Sequence, residues 1–488
     1  MARIFGNLAL SLIILLILSG CVTRSGEKDV PYLETLLKKG NFAAVNLEAS
    51  RLKSSSDLSG TERIRIDSLL ETMARIRLDF TLTDSDVIKK MVKYNPGFDT
   101  KELLRLEKEH KIDFLILDGK KYYFKNCIGN IFRLDSSYNW LKFQKEGSEP
   151  DLISKFRVTD LTEILKNTQQ FGQLVNPVRM RLSYTITVAP DAVPPGEIIR
   201  CWMPFPRENH PRQQNVKLLQ TEPIQNRLSP ASDFQRSLYL EKISTAHQPT
   251  VFHSEILFTS YAQSFRLTPE MMKPYQTNDL LYQVYVAERP PQIIFNDKIK
   301  SLAKKILQNE TNPLLKVRKI YRWINDSVTW ASALEYGIMS DIPGFVMENR
   351  HGDCGMQTLL FMTLARYAGV PVKWQSGWML HPGAVNLHDW CEIWYEGYGW
   401  IPLDQSFGLQ DSQEPLVRDY YISGIDAYRL IVNDDISQPF TPDKKFFRSE
   451  PYDFQRGEVE WNGGNLYFDK WSWHMEVSYE KDKETIRR

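Results

Sequence analysis

The sequence predicts a multidomain α+β chain, and three changes of hydrophobic period along its 488 residues carry that expectation. From Tyr32 to about Gly172, apolar residues recur mainly at helical spacing. From Arg179 to about Leu267 the period is two. Short strands separated by turn residues there suggest an antiparallel β-sandwich-like domain. After Pro274 helices return, and strands follow from Asn386. At about 100–200 residues per domain, the length suggests roughly three domains.

Composition narrows the function classes. With 61 Lys+Arg against 60 Asp+Glu the formal net charge is +1, and no basic run is present, so a nucleic-acid partner is not expected. A hydrophobic content of 42% and an aromatic content of 12% exclude a disordered chain.

The N-terminus reads as an export signal. Arg3 precedes an apolar stretch, Leu8 to Leu18, interrupted only by Ser11. That is shorter than the ~20 residues needed to span a bilayer. It ends in Leu18-Ser19-Gly20-Cys21, which resembles the lipobox of bacterial lipoproteins; an ordinary signal peptide or signal anchor is the competing reading. The resemblance implies a signal peptide over residues 1–20, a lipid-modified Cys21 and a polar tether over residues 21–30. Localisation would then be the bacterial cell envelope, lipid-anchored. Val22 after the cysteine points to the outer membrane by analogy with that family.

Residues 31–175 form the expected helical region. Leu33, Leu36, Leu37, Ala43, Ala44 and Leu47 look like one face of a helical hairpin, and Thr61 to Leu78 carries a further helical pattern that includes Ile64. Leu115 to Phe132 is more strand-like, with a turn at Asp118-Gly119-Lys120. No chemical motif appears here, which favours a packing or partner-binding role. In residues 176–272, the expected sandwich, Leu182, Tyr184, Ile186 and Val188 alternate with polar residues. Residues 273–488, the expected core with C-terminal strands, open with amphipathic helices at Ile294–Leu307 and Pro313–Val328.

Of five cysteines, Cys354 lies in the most informative context. Met356, Leu359, Leu360, Leu364 and Tyr367 form an apolar stripe along a helix that Asp353 can cap and that Gly369 and Pro371 end. Thr363 is the weak point of the stripe. Cys354 in the first turn meets unpaired N–H groups and the positive end of the helix dipole, which favours a thiolate and could hold an oxyanion. A buried cysteine acting as a small hydrophobe is the alternative.

Downstream, His388, Trp390, Glu392 and Trp394 alternate with Leu387, Asp389, Cys391, Ile393 and Tyr395. Glu396-Gly397-Tyr398-Gly399 reads as a hairpin turn. A loop with an odd number of residues would put His388 and Asp404 on one face. Thiolate, imidazole and carboxylate are the types that nucleophilic acyl transfer requires. The chain contains no CxxC, no Cys/His metal spacing and no EF-hand-type loop, so neither a metal nor a cofactor is expected.

The segment Val346 to Gly408 resembles the core of the transglutaminase-like superfamily. It has Gly352-Asp353-Cys354 at a helix start, Gly369-Val370-Pro371 after the helix, His388-Asp389-Trp390-Cys391-Glu392, and Gly399-Trp400-Ile401-Pro402-Leu403-Asp404. The resemblance implies a papain-like α+β core and a thioester acyl-enzyme. By position it implies Cys354 as nucleophile, His388 as general base and acid, and Asp404 as orienter. Trp330 is the candidate donor near the oxyanion, and Trp378 and His351 are candidate substrate contacts. The expected activity is attack on amide bonds of a peptide, a protein or a peptidoglycan fragment, more hydrolytic than cross-linking. A non-catalytic binding or scaffold lipoprotein that keeps the fold is the competing reading.

Overall fold

The structure, a computed structural model, describes residues 25–147 and 152–480. The signal and lipidation expectations, including Cys21, lie outside the described residues. The chain divides into two compact units, one reaching to Met73 with Ile116–Lys120, the other made of Ala74–Leu115 and Lys121 onward.

In the first unit α1 (Ser25–Lys38) and α2 (Phe42–Lys53) form the expected hairpin. It turns at Gly40, whose φ of +72° is left-handed and where an added Cβ would lie 2.0 Å from the Ile116 carbonyl oxygen. Leu33, Phe42, Val45 and Leu52 are buried. Leu47 and Ile64, expected on buried faces, are exposed instead.

The second unit takes over within α3 (Gly60–Asp79) and continues through β1 (Phe80–Leu82), α4 (Asp84–Met91) and α5 (Thr100–Lys108); β2 (Phe114–Leu117) and β3 (Lys120–Phe124) follow, with Ile116–Lys120 belonging to the first unit. The strand character read from Leu115 ends at Phe124. From there α6 (Cys127–Leu134) is helical, because Cys127, Asn130 and Ile131 bury one face at helical spacing. Two further helices follow, α7 (Ser136–Glu146) and α8 (Leu152–Asn167).

The sandwich is built on β4 (Leu174–Val188), β5 (Ile198–Pro204), β6 (Gln213–Glu222), β7 (Asn226–Leu228), β8 (Ser237–Ile243) and β9 (Thr250–Ser264). Met180, Leu182, Tyr184, Ile186 and Val188 of β4 point into its core with Trp202, Leu240, Phe252 and Phe258. Its sheets are completed from the far end of the chain. A strand at Glu458–Trp461 pairs with β5, and a strand at Trp471–Glu480 pairs with β4 over ten residue pairs. The segment 273–488 therefore does not stay together: its last strands belong to the sandwich.

The core brings helices onto one face of a four-stranded sheet. Its helices are α9 (Leu280–Val286), α10 (Asp297–Leu307), α11 (Pro313–Ser327), α12 (Ile342–Asn349) and α13 (Cys354–Tyr367). A short parallel pair, β10 (Thr329–Trp330) and β11 (His351–Gly352), precedes α13. The sheet holds β12 (Val372–His381), β13 (Ala384–Tyr395), β14 (Gly399–Leu403) and a strand at Arg429–Asn433 beside β12. Residues Cys354 to Arg366 are all buried, so α13 is the central helix. Thr363 fits the interior because its hydroxyl donates to the Leu359 carbonyl at 2.7 Å.

Candidate active site

The start of α13 is fixed by its own sequence. The Asp353 side chain accepts the Met356 N–H at 3.1 Å, which is the expected N-cap. The parallel pairing sets Trp330 opposite Gly352, next to the nucleophile candidate. Gly355 then leaves room where any side chain would intrude: a Cβ there would come within 2.2 Å of the Tyr336 hydroxyl and 2.5 Å of Asp389 Oδ2.

Cys354 is 8% exposed and lies on the wall of a cavity of about 310 Å³. Trp330, Tyr336, Asp353, Asp389, Asp453 and Gln455 share that wall. The thiol donates to Asp389 Oδ2 at 3.5 Å, while Gln455 Nε2 donates to Asp389 Oδ1 at 2.7 Å. The Tyr336 hydroxyl donates to Asp353 Oδ1 at 2.5 Å.

The surroundings oppose ionisation of the sulfur. Burial pushes the Cys354 thiol well up, and the charges of Asp389 and Asp353 push it further. Desolvation and the neighbouring carboxyls thus act against the low thiol pKa expected from the helix N-terminus. Burial also raises Asp353, to about 6, and Asp389 and Asp453 further.

His388 and Asp404 meet on the other face of β13. Tyr395 pairs with Gly399, so the loop has the odd count that places both side chains on one side. His388 Nε2 lies 2.7 Å from Asp404 Oδ2, and Arg429 reaches the same oxygen at 2.7 Å. Burial would raise the Asp404 carboxyl, but the charges of His388 and Arg429 hold it down at about 2. Asp404 is therefore a carboxylate, and Nε2 of His388 must carry the proton. Burial lowers the His388 pKa against the pull of Asp404, so the ring is neutral near pH 7. Its ring packs on Phe407, 4.7 Å between centroids.

The three side chains expected together are thus brought together only in part. Strand alternation turns Asp389, Cys391 and Ile393 toward α13, and the sulfur meets Asp389; His388 and Trp390 face away from it. Trp330 lines the Cys354 cavity, is 40% exposed and carries Arg133 over its ring at 4.9 Å. Trp378 does not line that cavity. It is buried in the sandwich core, and its indole N–H donates to the Gln455 carbonyl at 3.0 Å. His351 is also buried, packed on Phe345 with Nε2 3.4 Å from Asp113, and it does not line the cavity. Both expected substrate contacts are corrected by the same cause: their strands run into packed interiors.

Among the described residues, His210, Glu392 and Asp434 hold ligand atoms within 4.8 Å of one another, as a metal would require. Lys373 Nζ already sits 2.9 Å from both Glu392 and Asp434, so an ammonium supplies the cation there. Sequence reasoning missed Asp389, Asp453 and Tyr336. For Asp389 the signal was present, since the alternation of β13 puts it on the face of Cys391 and Ile393. Asp453 sits in an aperiodic segment that gives no such signal.

Residues 300–405 match the transglutaminase-like superfamily. The uncharacterized protein YebA of Bacillus subtilis (strain 168) is 21% identical over 182 residues, which cover 31% of this chain and 25% of YebA. The chain thus spans about a quarter of that relative's length. Among solved structures, a candidate cysteine protease from Cytophaga hutchinsonii aligns at 18% identity with a TM-score of 0.41, covering 63% of this chain and 93% of that one. The periplasmic domain of TgpA from Pseudomonas aeruginosa aligns at 15% identity with a TM-score of 0.25, covering 51% and 91%. The matched residues 300–405 carry the sulfur, the imidazole and the carboxylate alike.

Proposed function

We propose that this chain is a cysteine enzyme that attacks amide carbonyls through Cys354, forms a thioester and resolves it with water rather than with an amine. One observation carries the reading: the Cys354 sulfur opens α13 on the wall of a polar cavity, inside a transglutaminase-like domain. In the attack, sulfur bonds to the carbonyl carbon, the thiol proton leaves to a base, and the amine departs with a returned proton. Asp389 is the group at the thiol in the arrangement described. His388 has its Nε2–H fixed by Asp404, which leaves Nδ1 as the basic nitrogen. To act as the base, that nitrogen requires a local turn of β13 around Leu387–Asp389. Trp330, on the same wall, is the proposed donor to the oxyanion. Water needs no second binding site, which favours hydrolysis.

The proposed substrates are peptides, proteins or peptidoglycan fragments, met by an enzyme anchored through Cys21 to the bacterial envelope, in the outer membrane. The test incubates the full chain with peptide and peptidoglycan-fragment libraries and follows the products by mass. A free acid plus a free amine, absent in Cys354→Ser, supports hydrolysis; a new amide bond replaces it with cross-linking; no product from any library contradicts the reading. Loss of turnover in Asp389→Asn but not His388→Ala would assign the proton to Asp389, and the reverse to His388.

A second reading, a non-catalytic binding protein that keeps the fold, is favoured by one observation. The thiol is held neutral by burial, and its partner is a carboxyl rather than the imidazole.

A further inference from the structure

The wall of the Cys354 cavity carries five acidic residues, Glu335, Asp353, Asp389, Glu450 and Asp453, against one basic residue, Arg456. Arg456 is committed elsewhere: it reaches Glu335 at 2.8 Å and Glu450 at 2.5 Å. Three carboxyls remain outside these ion pairs. Asp353 is held by Tyr336 and its capping contact, and Asp389 by Gln455 and the thiol. At Asp453 its own backbone N–H and the charge of Arg456 act on the carboxyl. Asp453 is 8% exposed, and among the described residues no side chain donates to it or forms an ion pair with it. A carboxyl buried to that degree without a side-chain donor or ion pair costs free energy unless it stays protonated or gains a cation.

We propose that the acyl-donating substrate carries a primary ammonium group close to the amide that Cys354 attacks, and that Asp453, with Asp389, receives it. This rests on reading the cavity beside Cys354 as the substrate site. A bare metal ion fits less well. Among the described residues the only triple of ligand atoms within 4.8 Å of one another is His210, Glu392 and Asp434, so the carboxyls of this cavity are spread too widely. An ammonium on a flexible stem donates three hydrogen bonds and bridges groups that a small ion cannot. The cavity of about 310 Å³ stands at the small end of ligand pockets, which suits one side chain or chain terminus.

The test is a calorimetric titration of the full chain bearing Cys354→Ser. The probes are Nα-acetyl-lysine methylamide, its norleucine counterpart and calcium chloride. The lysine probe is expected to bind at least about tenfold more tightly than the norleucine probe, the scale of a charged hydrogen bond. Adding Asp453→Asn is expected to remove that preference while leaving the norleucine affinity and the unfolding transition in place. Equal affinities for the two probes, a preference that survives Asp453→Asn, or calcium binding that displaces the lysine probe would each overturn the proposal. Acylation of Cys354 in the unsubstituted chain is measured separately. A lysine preference without acylation sinks the enzyme reading and leaves only an ammonium site beside Cys354; acylation without the preference keeps the enzyme reading and overturns the ammonium site.

Discussion

At Cys354, burial first and two neighbouring carboxyls second raise the thiol pKa, against the positive end of a helix. Coulomb repulsion in a dry site exceeds the ~0.3–1 kcal/mol that a helix terminus offers a charge. Alkylation of the folded chain by iodoacetamide is therefore expected to stay slow at neutral pH and to rise in the alkaline range. Asp389→Asn should move that profile to lower pH, since it removes a charge that disfavours the thiolate; an unmoved profile would contradict the assignment. Asp404 shows the opposite balance. Its folded pKa of about 2 lies below the usual 3.8, so it contributes stability above pH ~4 that is lost as pH falls through about 2. Denaturation of Asp404→Asn and the unsubstituted chain should show a gap of about 3–5 kcal/mol near neutral pH that narrows toward pH 2.

The seam between α13 and β13 decides what the site can do. In an exposed helix, replacing glycine by alanine gains about 1 kcal/mol. At Gly355 the added methyl would meet Tyr336 and Asp389, so the sign should reverse. Gly355→Ala is expected to lose about 1–3 kcal/mol in chemical denaturation and to alter Cys354 alkylation. Much of this seam was legible in the sequence. The cap at Asp353, the helix and its stop follow from local spacing, whereas the shared face of His388 and Asp404 hung on the loop count that the Tyr395–Gly399 pairing supplies. The face on which His388 points relative to α13 did not follow from local spacing. That depends on which side of a two-faced strand the helix covers, and both sides of β13 are buried, with Cys391 and Ile393 on one and Trp390 on the other. Alternation identifies two faces but not their neighbours.

Across the larger unit, the sandwich is assembled from segments distant in sequence. The strand Trp471–Glu480 covers the edge of β4, and Glu458–Trp461 covers β5. Neither pairing could be read from local pattern, because register between distant strands is set by tertiary packing. Removing residues 470–488 is expected to bare the β4 edge and lower the unfolding temperature, with association seen by light scattering. An unchanged melting curve would contradict the pairing. The same unit carries the domain whose sulfur the proposed chemistry requires. The most direct test is intact-protein mass spectrometry of the full chain quenched during turnover of an amide or activated-ester substrate. One added acyl group is expected, mapped to Cys354 and absent in Cys354→Ser. An unmodified mass across neutral and alkaline pH, with the fold intact, would contradict it.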